Sequence, residues 1–119
     1  MAVRILRAIC LLTLGLFLLS ACNMIVPIRG SGNLVSEARD VYDFDRVLLQ
    51  GFGEAIIHQS NEESLVIETD DNVMPYITAR VRGKTLILGH DASIMRPISP
   101  TQLRFRLNVR DLTGLVISG

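Results

Sequence analysis

The clearest pattern in the chain is a strict alternation of apolar and polar residues over residues 102–110. The apolar positions of this run are Leu103, Phe105, Leu107 and Val109, and the residues between them are polar or basic. When a pattern repeats every two residues, alternate side chains lie on opposite faces of an extended chain. The run therefore predicts a β-strand with one buried face.

Seven shorter runs, most of them rich in Val, Ile and Leu, predict further strands separated by turn-forming residues. They are Leu34–Ala38, Arg46–Gln50, Glu54–Gln59, Ser64–Asp70, Ile77–Arg82, Thr85–Gly89 and Leu115–Ser118. One short helical turn is expected at residues 71–76, where an Asp or Asn precedes a Pro. Helical periodicity is otherwise absent beyond residue 22, so the predicted fold class is all-β.

The first 22 residues have the layout of a secretory signal. Arg4 and Arg7 form a short basic region, and the uncharged, mostly apolar stretch from Ala8 to Leu19 follows them. This stretch has 12 residues, whereas a helix that spans a bilayer needs about 20. The sequence therefore predicts a signal peptide at residues 1–21 and an exported protein, with a permanent membrane helix as the alternative.

The run from Leu19 to Cys22, Leu-Ser-Ala-Cys, resembles the lipobox of bacterial lipoproteins. The resemblance implies that a diacylglycerol is attached to the thiol of Cys22 and that cleavage leaves Cys22 as the first residue. The mature chain would then be anchored to the cell membrane or the outer membrane by its lipid. Residues 22–32 are interpreted as the anchor and its tether, and residues 33–119 as the domain.

The charge and hydropathy of the chain exclude several classes of protein. The chain has 12 basic and 12 acidic residues, and without Arg4 and Arg7 ten basic residues remain against twelve acidic ones. The mean hydropathy of +0.37 comes largely from the leader. A multi-spanning membrane protein, a collagen-like fibre and a disordered chain are therefore excluded, and so is a strongly basic nucleic-acid binder. No nucleic-acid partner is expected.

Candidate metal sites are weak. The two histidines are far apart in sequence, and neither has a cysteine or a third histidine nearby, which does not suit zinc. Glu68, Asp70, Asp71 and Asn72 carry enough oxygen atoms for calcium, but their spacing is not that of a calcium loop. The alternative is a helix cap with solvated acids. The sequence predicts no metal, no cofactor and no catalytic residue.

Five arginines form a candidate interaction face on two predicted strands. Arg80 and Arg82 share one strand face, and Arg104, Arg106 and Arg110 share another. If the two strands were neighbours, the arginines would form a basic ladder for an acidic polysaccharide or a partner's carboxylates. The alternative is an ordinary solvated sheet face that glutamates partly neutralise.

Several segments together resemble the bacterial head GIN domain, a domain of unknown function assigned to autotransporter adhesin heads. They are Gly30–Asn33, Phe44–Val47, Gly51–Glu54, Glu62–Glu68 and Asp70–Ile77. The resemblance implies a secreted or lipid-anchored protein and a right-handed β-helix-like stack of short strands. The chain departs from the family in having Phe52 between two glycines.

A second departure concerns the end of the chain. The second half of the family domain, which would follow Gly119, is absent from the sequence. This predicts a partial domain at residues 33–119, either shortened or paired with another chain. The apolar strand Leu115–Ser118 is then expected to present an uncovered edge and to promote self-association.

Two functions follow from these observations. The first is a non-enzymatic, lipid-anchored envelope domain that contacts a surface glycan or a protein, as an adhesin does. The alternative is an envelope-associated carbohydrate-active enzyme, which needs carboxylates and aromatic residues in a cleft. The best candidates for that cleft are Asp40, Tyr42, Asp43, Phe44 and Asp45.

Overall fold

The computed structural model describes residues 1–19 and 25–119. Helix α1 covers Ala2–Leu19. Among the described residues, no helix has both the length and the apolar character needed to cross a membrane. Cys22, the predicted site of lipid attachment, lies outside the described residues.

Ten strands make up the rest of the described structure, together with two short 3₁₀ turns at Met74–Tyr76 and Ala92–Ile94. The strands are β1 (Ile28–Arg29), β2 (Leu34–Arg39), β3 (Arg46–Gln50), β4 (Glu54–Gln59), β5 (Ser64–Asp70), β6 (Ile77–Arg82), β7 (Thr85–His90), β8 (Ile98–Ser99), β9 (Leu103–Val109) and β10 (Gly114–Ser118). The all-β prediction is confirmed, and each predicted strand is present to within a residue or so at its ends. β1 and β8 were not predicted, because two residues are too few to show an alternation.

The strands form two four-stranded sheets and one small two-stranded sheet. Sheet I has the order β10-β3-β7-β6 and sheet II the order β2-β5-β9-β4, while β1 pairs with β8. Neighbours are parallel in β10–β3, β3–β7 and β4–β9 and antiparallel in the other pairs of the two sheets. Parallel pairs are typical of a β-helix, but each of the two sheets here contains both parallel and antiparallel pairs. The β-helix-like stack therefore stays a prediction.

One hydrophobic core joins the two sheets. In β9 the apolar positions of the alternating run are buried and the positions between them are partly or fully exposed. The same alternation buries Leu65 and Ile67 of β5 in sheet II, and Leu86 and Leu88 of β7 in sheet I. All of these side chains belong to a single buried cluster, so the two sheets pack face to face.

The sandwich has two distinct ends. The described chain resumes at Ile25, at one end of the sandwich. This end, which we call the proximal end, also contains the end of β5 and the residues before β9. The opposite end, which we call the distal end, carries the four connections at residues 40–45, 60–63, 83–84 and 110–113. Backbone hydrogen bonds join three of these connections, from Asp45 N to Lys84 O and from Thr113 N to Asp45 O.

Candidate functional site

A groove of about 530 Å³ opens at the distal end. Its walls are the connection between β2 and β3, the second half of β6 and the turn that follows β6. The lining residues are Asp40, Val41, Tyr42, Asp43, Ala79, Arg80, Val81, Gly83 and Lys84. It contains three of the residues that the sequence analysis named for a carbohydrate cleft, namely Asp40, Tyr42 and Asp43.

The connection at residues 40–45 is held by two buried side chains. Val41 is 7% exposed and Phe44 is 4% exposed, and both pack in the core. The two residues between them therefore point outwards, and Tyr42 is 75% exposed. Asp43 has a φ of 59°, a left-handed conformation that Asp adopts more readily than most residues. The buried pair thus presents an aromatic ring and a carboxylate to solvent.

A tight turn forms the other wall. Gly83 and Lys84 both have positive φ, at 54° and 65°, as expected for a two-residue turn in a β-hairpin. The carbonyl oxygen of Lys84 accepts hydrogen bonds from Asp45 N at 2.9 Å and Arg46 N at 3.2 Å. These bonds fix the turn against the connection at residues 40–45, so the groove is preformed.

The groove has a balanced charge and one aromatic side chain. Asp40 and Asp43 face it together with Arg80 and Lys84, and the Lys84 Nζ lies 3.7 Å from Asp43 Oδ1. Both partners of this pair are exposed, so the pair adds little to stability. An exposed tyrosine beside paired donors and acceptors suits a ligand that has both an apolar face and hydroxyl groups.

A smaller depression of about 200 Å³ adjoins the groove and shares Asp43 and Lys84 with it. Glu63 and Arg110 also line this depression. Among the described residues, the Oε2 atom of Glu63 is buried and has no hydrogen-bond partner. A buried acceptor of this kind is costly unless something donates to it, so it favours a ligand or an ordered water at this position. Glu63 could not be identified as a site residue from the sequence, because only the fold brings it near residues 43 and 84.

The five predicted arginines do not form one ladder. Arg80 and Arg82 lie on β6 in sheet I, whereas Arg104 and Arg106 lie on β9 in sheet II. Both pairs point away from the shared core, so they face opposite sides of the sandwich. The prediction failed because β6 and β9 belong to different sheets. Arg80 and Arg110 do lie at the distal end, where each lines a depression.

Acidic residues neutralise the arginines of sheet II. Arg104 Nε lies 3.1 Å from Glu54 Oε2, and Arg104 Nη1 lies 3.6 Å from Glu68 Oε2. Arg106 Nε lies 3.1 Å from Glu68 Oε1. The glutamates sit opposite or diagonal to the arginines on neighbouring strands, as cross-strand ion pairs do. This face matches the alternative interpretation of a solvated, partly neutralised sheet surface.

The acidic cluster at residues 70–72 does not cap the short helical turn that follows it, and its side chains bind other segments of the chain instead. The 3₁₀ turn has Val73 at its N-cap and no side-chain cap. Asp70, at the end of β5, is fully buried, and its two carboxylate oxygens accept hydrogen bonds from Gly32 N and Thr101 N, both at 2.8 Å. No group of three or more metal-binding side chains occurs among the residues that the structure describes.

The same cluster holds the N-terminal segment. Asp71 accepts hydrogen bonds from the Ser31 hydroxyl and the Asn33 side-chain amide. Asn72 accepts from Ser31 N at 2.9 Å and donates to Arg29 O at 2.7 Å. We call residues 70–72 and their bonds to residues 29–33 the clamp. It incorporates part of the predicted tether into the folded domain.

Hydrogen bonding in the clamp lowers two pKa values. Burial alone would raise the pKa of Asp70, but hydrogen bonds from Thr101 and Gly32 stabilise the charged form and lower it overall. Hydrogen bonds from Ser31 and Asn33 lower the pKa of Asp71. Both carboxylates are therefore charged acceptors at neutral pH.

Phe52, which departs from the family pattern, has a structural role. Its ring stacks on that of His90, with ring centres 5.4 Å apart and an angle of 21° between the planes. His58, the second histidine, lies on β4 in sheet II. The two histidines are thus on different sheets.

Solved structures of similar fold come from species of Parabacteroides and Bacteroides. A "putative adhesin" from Parabacteroides merdae ATCC 43184 has a TM-score of 0.69 and 21% identity, and the alignment covers 77% of this chain and 38% of that one. A "putative lipid binding protein" from Parabacteroides distasonis ATCC 8503 has a TM-score of 0.69 and 23% identity, with 79% and 41% covered. A "putative adhesin" from Bacteroides fragilis NCTC 9343 has a TM-score of 0.68 and 22% identity, with 76% and 42% covered. At these identities the likeness concerns the fold.

The chain spans about two fifths of the length of these solved structures. No curated protein sequence is significantly similar to it. A family model described as "Putative auto-transporter adhesin, head GIN domain" matches residues 43–119, which is more than half of the chain. The matched range includes the β6 wall of the distal groove but only Asp43 of the lining residues in the other wall. The chain belongs to the head GIN domain family.

Proposed function

We propose that this protein is a non-enzymatic, lipid-anchored module of the cell envelope that binds a surface glycan through its distal groove. The exposed ring of Tyr42 in this preformed groove is the observation that carries the proposal. Exposed aromatic rings stack on the apolar faces of sugars, and the charged groups around Tyr42 can pair with sugar hydroxyls. Family membership supports an adhesin-like role.

The proposed anchor rests on the leader and on the Leu-Ser-Ala-Cys run that ends at Cys22. An exported protein anchored in this way would lie outside the cytoplasm, on the cell membrane or the outer membrane. The mass of the mature chain tests this proposal. We expect a chain that starts at an acylated Cys22, and an unmodified N-terminus would contradict the anchor.

A glycan array with the purified full chain tests the groove. We expect binding to a subset of surface glycans, and we expect Tyr42→Ala to lose at least tenfold in affinity because it removes the stacking surface. Glu62→Ala is the matched control, since Glu62 is exposed at the same end of the sandwich but does not line the groove. No binding by the parent chain, or equal binding by both variants, would contradict the proposal.

The same groove would serve the alternative function, a carbohydrate-active enzyme. Asp40 and Asp43 supply carboxylates beside Tyr42, which is the composition such an enzyme needs. Incubating the glycans that bind with the parent chain and with Asp43→Asn separates the two functions. Release of sugar by the parent but not by the variant would favour the enzyme, and intact glycans in both samples would favour the adhesin-like module.

We further propose that the free edge of β10 pairs with another strand. β10 lies at the edge of sheet I, and its apolar residues Leu115, Val116 and Ile117 are 49%, 57% and 67% exposed. An exposed apolar edge is a template for strand addition. Self-association through this edge, or a stack of further strands on it in the manner of a β-helix, would cover these side chains.

A further inference from the structure

Exposed apolar and basic residues occur together at the proximal end. Ile25 is 64% exposed, Val26 is 59% exposed and Met95 is 86% exposed. Arg29 and Arg96 are also exposed at this end. We call these five residues the basal patch.

Met95 is unusual in two respects. It is the most exposed apolar side chain of the folded domain, and its φ of 48° places a long side chain in the left-handed region. Such a conformation is uncommon for Met and is often retained at functional positions. Core packing does not explain it, because the side chain is almost fully in solvent.

Hydrogen bonds join the two segments that carry the basal patch. Arg96 Nε donates a hydrogen bond to Val26 O at 2.9 Å, and Ile28 N donates to Pro97 O at 2.8 Å. These bonds join the segment before β1 to the connection that carries Met95. The clamp fixes the same segment from residue 29 onwards, so the patch is held on the body of the domain.

The length of the chain limits how far the patch can lie from Cys22. A fully extended chain spans at most about 3.6 Å per residue. Ile25 is therefore within about 11 Å of Cys22, and Ile28 is within about 22 Å of it. Because β1 and the clamp attach residues 28–33 to the domain, the tether cannot lengthen by releasing them while these bonds last.

The chemistry of the basal patch suits a lipid surface. Amphipathic surfaces that lie on a membrane combine apolar side chains, which enter the region of the headgroups, with basic ones, which contact lipid phosphates. Arg29 and Arg96 supply the basic groups. The nearby carboxylate of Asp91 is already engaged by Ser93, through N at 2.9 Å and Oγ at 2.6 Å.

We propose that the basal patch rests on the bilayer that holds the lipid of Cys22. This inference rests on the lipid anchor proposed above. The contact orients the domain with its proximal end on the membrane and its distal groove facing away. The groove is then presented to ligands on the side of the bilayer that faces away from the cytoplasm.

Fluorescence quenching in vesicles tests the contact. The full chain, processed in a bacterial host, is reconstituted into vesicles of phosphatidylethanolamine and phosphatidylglycerol that contain a lipid with a nitroxide headgroup. A fluorophore is attached at the thiol of Met95→Cys or, as a matched control, of Asn61→Cys at the exposed distal turn. Cys10 leaves with the leader and an acylated Cys22 has no free thiol, so each variant has a single reactive site.

We expect the label at position 95 to be quenched several-fold more strongly than the label at position 61. Arg29→Gln in the Met95→Cys background should reduce this quenching, since it removes one contact with lipid phosphate. Equal quenching at the two positions in acylated protein would overturn the bilayer contact and leave the anchor intact. An unacylated chain would overturn the anchor and this inference with it.

Discussion

Asp70 holds together the segments of chain that meet at the proximal end. Its carboxylate is fully buried, yet no cation lies against it among the described residues, and backbone N–H groups of Gly32 and Thr101 compensate its charge. Its neighbour Thr69 is equally buried and donates to Gln102 O at 2.6 Å. Two consecutive polar side chains thus join the end of β5 to the segment before β2 and to the segment before β9.

We expect Asp70→Asn to lower the free energy of unfolding by about 2 kcal/mol at neutral pH. An amide has one accepting oxygen instead of two, so one of the two N–H donors is left facing an NH₂ group. Urea unfolding of the parent chain and the variant measures the difference. Asp111→Asn is the control, because Asp111 is exposed and its loss should cost at most about 0.5 kcal/mol.

The pH dependence of this difference has a definite sign. The pKa of Asp70 is lowered in the folded state relative to its ordinary value of 3.8, so the unfolded chain binds the proton more readily. The stabilisation is complete above that ordinary value and is lost as the pH falls through the lower pKa of the folded state. The difference between parent and Asp70→Asn should therefore shrink below about pH 4. A difference that is constant or grows on acidification would contradict this account.

At the scale of elements, the alternation of apolar residues predicted the strands but not their partners. Period two is visible in β9 because a buried face selects every second residue. Which strands become neighbours depends on contacts between residues far apart in sequence, and nothing in the runs of β6 and β9 indicated that they belong to different sheets. The five arginines do not form a single ladder for this reason.

The clamp could not be predicted from the sequence either. The two segments that form it, residues 29–33 and 70–72, overlap segments that carry the resemblance to the head GIN family, yet their sequences alone do not show that they bind each other. Their donors and acceptors meet because β2 and β5 pair antiparallel, with Leu34 opposite Asp70. The sequence alone suggested a helix cap at these residues, whereas their side chains make contacts with the segment before β2.

Gly30→Ala should open the clamp without unfolding the sheets. A Cβ at Gly30 would lie 2.3 Å from Asp70 Oδ2, which has no room to move because it is buried. In the parent chain the amides of residues 28 and 30 donate hydrogen bonds to Pro97 O and Ser99 O. We expect both amide hydrogens to exchange at least tenfold faster in the variant. Hydrogen exchange measured by NMR gives the rates for each residue.

Gly114→Ala is the matched control, since its Cβ would meet only the flexible side chain of Arg46, at 3.1 Å. Protection of the Phe105 amide in β9 should be retained in both variants. Equal acceleration at Ile28 and Phe105 would mean that the segment and the sheets open together. That result would contradict an independent clamp.

At the scale of the whole molecule, the two ends of the sandwich differ in composition and in order. The distal end carries charged connections fixed by backbone hydrogen bonds, and the proximal end carries the clamp and exposed apolar side chains. The sequence identified Asp40, Tyr42 and Asp43 as a group, because they are adjacent in the chain. Arg80 and Glu63 join them only through folding, so the full site could not be predicted.

We expect molecules to associate through β10, the edge strand of sheet I. Val116 lies opposite Leu48 on the outer face of sheet I, whereas Leu115 and Ile117 lie opposite the buried Val47 and Leu49. Val116→Lys therefore places a charge on the edge without disturbing the inner face, and we expect it to reduce self-association. Sedimentation of the parent and the variant over a range of concentrations gives the comparison.

Ser36→Lys adds the same charge to β2, the edge strand of sheet II, and serves as the control. It should associate as the parent does. A parent chain that stays monomeric at high concentration would show that the β10 edge does not pair. Equal loss of association in both variants would point to a general effect of charge.

The clamp also determines how the domain responds to tension. A ligand held in the distal groove and a membrane beyond Ile28 would pull on opposite ends of the sandwich, so the force would pass through residues 28–33. Within these six residues, the chain bonds to Pro97 and Ser99 and to the side chains of Asp70, Asp71 and Asn72. These bonds would therefore have to break before residues 28–33 could be drawn out to lengthen the tether under load.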